Sequence, residues 1–187
     1  MRAGNYNPML LLAANITKDL PTTPTILGES WGFWCQLIVL VATAAIAIYN
    51  LRKNERRARK RATIDLVLSE NQDGNFRDIK ERYSILRESG ENLTLLVCNP
   101  ATDPTEKQAI ADKQETVIAI LNQYEFIASA IFEDALDEKL YQRMKKGVLI
   151  RDWNDLNAFV LELRRKEQRP KIFCEIERLV KKWENGK

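Results

Sequence analysis

Twenty-one consecutive residues, Trp31 to Leu51, carry no charge: WGFWCQLIVLVATAAIAIYNL. A helix rising ~1.5 Å per residue over that length crosses the ~30 Å hydrocarbon core of a bilayer. The ends carry interface markers. Trp31 and Trp34 stand at one end and Tyr49 at the other, where amphipathic rings prefer the headgroup level. Immediately beyond lie Arg52, Lys53, Arg56, Arg57, Arg59, Lys60 and Arg61, whereas the opposite flank offers only Lys18 nearby. That imbalance places the C-terminal side in the cytoplasm. A buried core helix of a soluble protein is the alternative, but no other segment is apolar all round and able to enclose it. A cleaved signal peptide does not fit, because the basic residues follow the apolar run and no A-x-A site comes after it.

This reading divides the chain into an extracytoplasmic tail (1–30), a transmembrane helix (31–51) and a cytoplasmic helical domain (52–187). The apolar patch Met9–Ala14 is too short to span and either lies on the outer interface or is disordered. Pro21 and Pro24 make the stretch after it a linker. Gly28-x-x-x-Gly32 and Thr43-x-x-x-Ala47 have the small-residue spacing that lets two helices approach closely, so a homodimer is a candidate assembly.

The formal charge of +3 conceals an asymmetry. Residues 1–30 sum to zero and 51–61 to +6, leaving −3 for 62–187. A mildly acidic domain is a poor binder of phosphate backbones, and the basic stretch lacks interleaved aromatics for base stacking, so no nucleic-acid partner is expected. The cluster at 52–61 sets orientation, with anionic lipid headgroups as its further candidate ligand.

The chain has no histidine, which removes the commonest general base and metal ligand. Cys35, Cys98 and Cys174 are widely separated and too few for a structural zinc site. Cys98 and Cys174 read as buried, reduced thiols. Glu133, Asp134, Asp137 and Glu138 lack the spacing of a calcium loop and suit a helix start instead. No Gly-rich phosphate loop, G-x-S-x-G or H-E-x-x-H occurs. No cofactor, metal or catalytic residue is therefore expected.

Past the membrane the pattern is helical throughout. No Gly or Pro interrupts 52–72, where Ile64, Val67 and Leu68 form an apolar face until Asp73-Gly74-Asn75 breaks the helix. Phe76, Ile79, Tyr83 and Leu86 mark a second helix, ended by Ser89-Gly90. Leu93–Cys98 reads as a short helix or an extended packing segment. Asp103-Pro104-Thr105-Glu106 is a helix start with a capping box. The helix that follows runs to about Phe132 on a stripe of Ile110, Val117, Leu121, Tyr124, Ala128 and Ile131. Asp137 caps a short helix with Leu140 and Met144 inward and Gly147 as its stop. Leu149, Trp153, Leu156, Val160 and Leu163 define another. Pro170 opens the last, with Phe173, Ile176, Val180 and Trp183 inside. The expected fold is all-α, one transmembrane helix followed by about six cytoplasmic helices. We expect Glu125 to pair with Arg151 and orient two of them.

Four segments recur in a recognisable order. They are Lys60-Arg61-Ala62-Thr63-Ile64-Asp65-Leu66, Ile120-Leu121-Asn122-Gln123-Tyr124-Glu125-Phe126-Ile127-Ala128, Arg151-Asp152-Trp153, and Phe173-x-x-Ile176-Glu177-x-Leu179-x-x-x-Trp183. From about Arg52 to Trp183 the chain resembles the bacterial and phage family known as domain of unknown function 4760. The resemblance implies a bacterial or phage protein with one N-terminal membrane helix and a helical cytoplasmic domain, and it supplies no catalytic residues; the expected location is the bacterial inner membrane. The expected role is a membrane-tethered interaction or regulatory module with a protein partner, in host–phage conflict or as an accessory subunit of a membrane complex. The alternative is a carboxylate-dependent enzyme at the membrane surface, which would need an acid/base pair of Asp or Glu in one pocket.

Overall fold

The computed structural model describes residues 25–26, 29–98 and 102–186. The expected features at Met9–Ala14, Pro21, Pro24 and Gly28 lie outside these. The chain divides into two units at Arg52 and Lys53. Six helices make up nearly all of the described chain.

The first unit holds a two-residue antiparallel pairing of β1 (Thr25–Ile26) with β2 (Glu29–Ser30), then the apolar part of α1 (Trp31–Gln72). Over 31–51 every residue except the half-buried Trp34 is exposed, with Ile38, Val39 and Leu40 each near 65%. This is one helix long and apolar enough to cross a membrane, and no part of its most apolar window is buried.

The second unit begins with the rest of α1 and continues through α2 (Gly74–Glu88), α3 (Thr94–Cys98), α4 (Pro104–Phe132), α5 (Glu138–Glu167) and α6 (Cys174–Asn185). Helix α4 touches α2, α3, α5 and α6. Its predicted stripe is its buried face, with Val117, Leu121 and Ala128 fully enclosed. Asp73 caps α2 by accepting from the Asn75 and Phe76 N–H groups at 3.0 and 3.4 Å. Gly90, at φ +69°, turns the chain out of α2 in a region that only glycine adopts without strain. Leu93–Cys98 resolves as a short helix whose Leu96 and Val97 enter the core.

Several local expectations fail for physical reasons. Gly147 does not stop a helix; α5 runs through it because the flanking Tyr141 and Leu149 are both buried and hold the chain helical across one weak residue. Tyr141, not the exposed Met144, fills the inward position on that turn. Asp103 stands at the N-cap of α4 ahead of Pro104, but its exposed side chain makes no capping bond. Pro170 does not open the last helix; α6 starts at Cys174 after a turn in which Gln168 and Phe173 adopt φ values of 54° and 56°. Arg164 holds that turn by donating to the carbonyls of Ile172 and Phe173 and to Glu177. On α1, Ile64 and Leu68 are exposed while Thr63 and Glu70 are buried. Thr63 can be buried because its hydroxyl donates to the Arg59 carbonyl at 2.9 Å and accepts from the Asp137 N–H at 2.8 Å.

Glu125 does not pair with Arg151. Its two carboxylate oxygens accept from the backbone N–H groups of Glu175 and Ile176 at 3.1 and 2.9 Å. Phe173, the residue at the N-cap of α6, has no side-chain oxygen, so the cap comes from α4 instead. A carboxylate there satisfies two orphan donors and faces the positive end of the helix dipole. Glu125→Ala is therefore expected to lower unfolding free energy by about 2 kcal/mol. Denaturant unfolding of the full chain in detergent checks this, and an unchanged midpoint would contradict the capping role.

Candidate functional site

Charged side chains at core-facing helical positions are costly unless partnered, and two of them converge in the second unit. Glu70 follows Val67 by three residues on α1, and Asp152 follows Leu149 by three on α5, so helical spacing turns both inward. Their side chains are 5% exposed. They line one cavity of about 190 Å³ formed by α1, α2, α4 and α5.

Each carboxylate is shared between two cations. Glu70 lies 3.6 Å from the Lys80 ammonium and 3.2 Å from that of Lys145, and also accepts from the Gln123 amide at 3.1 Å. Asp152 lies 3.3 Å from the Arg87 guanidinium and 3.0 Å from that of Arg151. The hydroxyl of Tyr124 donates to the other Asp152 oxygen at 2.7 Å. Burial pulls the Lys80 ammonium below its usual value; Glu70 opposes that shift and Lys145 adds to it. The cavity thus contains four cations against two carboxylates, a formal excess of two positive charges.

Three tyrosines complete the lining: Tyr83, Tyr124 and Tyr141. Burial raises all three phenols well above the ordinary tyrosine value, with Asp152 adding to it for Tyr83 and Tyr124 and Glu70 for Tyr141. The Tyr83 hydroxyl is buried without a hydrogen-bond partner.

Of the site residues read from the sequence, Arg151 belongs here, held by Asp152 and not by Glu125. Trp31, Trp34 and Tyr49 lie on the apolar part of α1. In the basic cluster, Arg52, Lys53, Arg56, Arg57, Lys60 and Arg61 are exposed. Arg59 is half-buried and bonded to Asp134 at 2.8 Å. The acidic group after α4 serves helix ends and surface pairs: Asp137 caps α5 at Leu140, and Glu138 accepts from Trp183 and Lys182. No group of three metal-capable side chains occurs among the described residues. Cys98 is exposed, 3.4 Å from a Glu162 oxygen, which corrects the expectation of a buried thiol. Cys174 is half-buried, and burial, with Glu125 and Glu175 nearby, raises its thiol.

Sequence reasoning missed Glu70, Lys80, Arg87, Lys145 and Asp152 as a set. The available signal was an ionisable residue in a core-facing register, visible at Glu70 and Asp152. The motifs that carried the family resemblance contribute here directly, through Gln123, Tyr124, Arg151 and Asp152. The family described as Domain of unknown function (DUF4760) matches residues 37–183. No curated protein and no solved structure matches the chain.

Two outcomes are expected. Asp152→Asn leaves two guanidinium groups facing the cavity without their carboxylate and is expected to cost about 3 kcal/mol; chemical denaturation measures this, and an unchanged midpoint would contradict it. The tyrosines set a pH dependence. Their folded values lie above the unfolded value near 10, so the stability they confer is complete below that pH and declines above it. Lys80, with its lowered value, opposes this with a single proton. Phenolate absorbance from the three should appear only as the protein unfolds in alkali; early, reversible ionisation of all three would show them to be solvated.

Proposed function

The chain belongs to the DUF4760 family over residues 37–183, and from that premise we propose that it is a membrane-tethered helical interaction or regulatory module. The observation that carries this reading is the apolar part of α1, uncharged over 31–51 and exposed along that length. Each Ile, Leu or Val there forgoes about 1.5–3 kcal/mol by remaining in water, and a bilayer recovers that energy. The tether sits in a bacterial inner membrane, with the N-terminus outside and the helical domain in the cytoplasm. The seven cations from Arg52 to Arg61 support that orientation. Arg52, Arg56, Arg57, Lys60 and Arg61, all exposed, suit contact with anionic headgroups.

The domain's partner is a protein. Ile85 on α2, Phe126 on α4 and Leu161 on α5 are each more than half exposed, and Ile64 and Leu68 lie one turn apart on α1. Apolar side chains left outside a well-filled core suit protein contact. An accessory role in a membrane complex and a part in host–phage conflict are both compatible with this layout. A homodimer through the span is the further candidate, using Thr43 and Ala47; the Thr43 hydroxyl already donates to the Val39 carbonyl within its own helix.

A carboxylate-dependent enzyme is less well supported. An acid/base pair needs two carboxyl groups with separated proton affinities, whereas Glu70 and Asp152 are each clasped by two cations.

The native cysteines test the topology. Cys98 is exposed in the helical domain and Cys35 lies on the apolar part of α1. The chain should remain with membranes after alkaline carbonate washing, and an impermeant maleimide should label Cys98 only once the membrane is opened. Release by carbonate would refute the tether; labelling of Cys98 in intact cells would reverse the orientation.

A further inference from the structure

We propose that the cavity between α1, α2, α4 and α5 is a binding site for a small phosphate-bearing dianion. The inference concerns the helical domain alone and stands independently of the membrane reading.

Charge is the first argument. Lys80 and Lys145 share one carboxylate, and Arg87 and Arg151 share another, so two positive charges beside the cavity lack a counter-charge within it. A phosphate monoester or hydrogen phosphate carries about −1.5 to −2 near neutral pH and balances that excess.

Hydrogen bonding is the second argument. Both Glu70 oxygens are engaged, one by Gln123 and one by the two lysines. Both Asp152 oxygens are also engaged, one by the two arginines and one by Tyr124. Donors remain in surplus, since a lysine ammonium has three N–H groups and a guanidinium has five. Tyr83, a buried residue that lines the same cavity, carries a hydroxyl that meets no acceptor. A buried hydroxyl without a partner costs free energy, and a phosphate oxygen within reach would remove that cost. Guanidinium forks and ammonium groups together are the usual recognition set for tetrahedral oxyanions.

Size is the third. A volume of about 190 Å³ is well above the ~10–15 Å³ that admits one water. It is also below the ~300–1,000 Å³ of sites for drug-sized ligands. A phosphate with at most a small substituent is the fitting class, either free in solution or presented as a lipid headgroup.

Calorimetry on the full chain separates these sources. One arm titrates inorganic phosphate into detergent-solubilised protein at neutral pH; the other presents phosphatidic acid in nanodiscs. Saturable binding at one site per chain in either arm is expected. Lys80→Met should weaken it about tenfold, equal to ~1.4 kcal/mol, while Glu70 keeps Lys145 and the fold keeps its stability. Tyr83→Phe removes only an unpartnered hydroxyl, so it should weaken binding severalfold without lowering the unfolding midpoint. Arg143→Met, on the exposed side of α5, should leave binding unchanged. Absence of saturable binding in both arms would overturn the proposal, as would wild-type affinity in both K80M and Y83F.

Discussion

A carboxylate buried in a helical core is costly unless its oxygens find partners, and Asp152 imposes that requirement on three helices. It stands on α5, yet its partners are Arg87 on α2, Tyr124 on α4 and the adjacent Arg151. Apolar contacts tolerate sliding by a fraction of a turn, but a hydrogen bond of 2.7 Å does not. The register of α2, α4 and α5 is set at this point. Glu70 performs the same service for α1, binding Lys80 on α2, Gln123 on α4 and Lys145 on α5. A polar cavity in the domain follows from this way of fastening helices, because groups that must meet carboxylates also keep a small volume from filling with methyl groups.

The same economy appears at helix ends. Thr63 on α1 satisfies the N–H of Asp137 ahead of α5, and Glu125 on α4 satisfies two N–H groups at the start of α6. Lys166 on α5 donates to the Val97 carbonyl of α3, and Lys146 to the Trp183 carbonyl of α6. Helix termini leave backbone groups without intrahelical partners. Here side chains from other helices supply many of those partners, so secondary structure and tertiary packing are mutually dependent and the domain gains cooperativity.

Legibility from sequence varied with the range of the interaction. The apolar stripe of α4, the break at Asp73-Gly74-Asn75 and the close of α2 at Ser89-Gly90 were all readable, since each depends on residues within a few turns. The stop expected at Gly147 was not real, because the buried residues Tyr141 and Leu149, one on either side, outweigh a helix penalty of about 1 kcal/mol. The inward face of α1 was misread for a related reason. Ile64 and Leu68 looked like core residues, yet Thr63 and Glu70 take the inner positions once partners from α2, α4 and α5 are present. Glu125 was expected to pair with Arg151, but its partner proved to be the backbone of α6.

By itself the amino-acid sequence determined the all-helical class, the uncharged stretch long enough for a bilayer, the cation asymmetry beside it and the absence of histidine chemistry. These are properties of composition and periodicity, which a linear chain displays in full. Only the tertiary structure decided that six charged side chains from α1, α2 and α5 meet around one cavity with more positive than negative charge. Coulombic pairing depends on distances in space, and residues as remote as Glu70 and Lys145 acquire a separation of 3.2 Å only when the helices that carry them are packed.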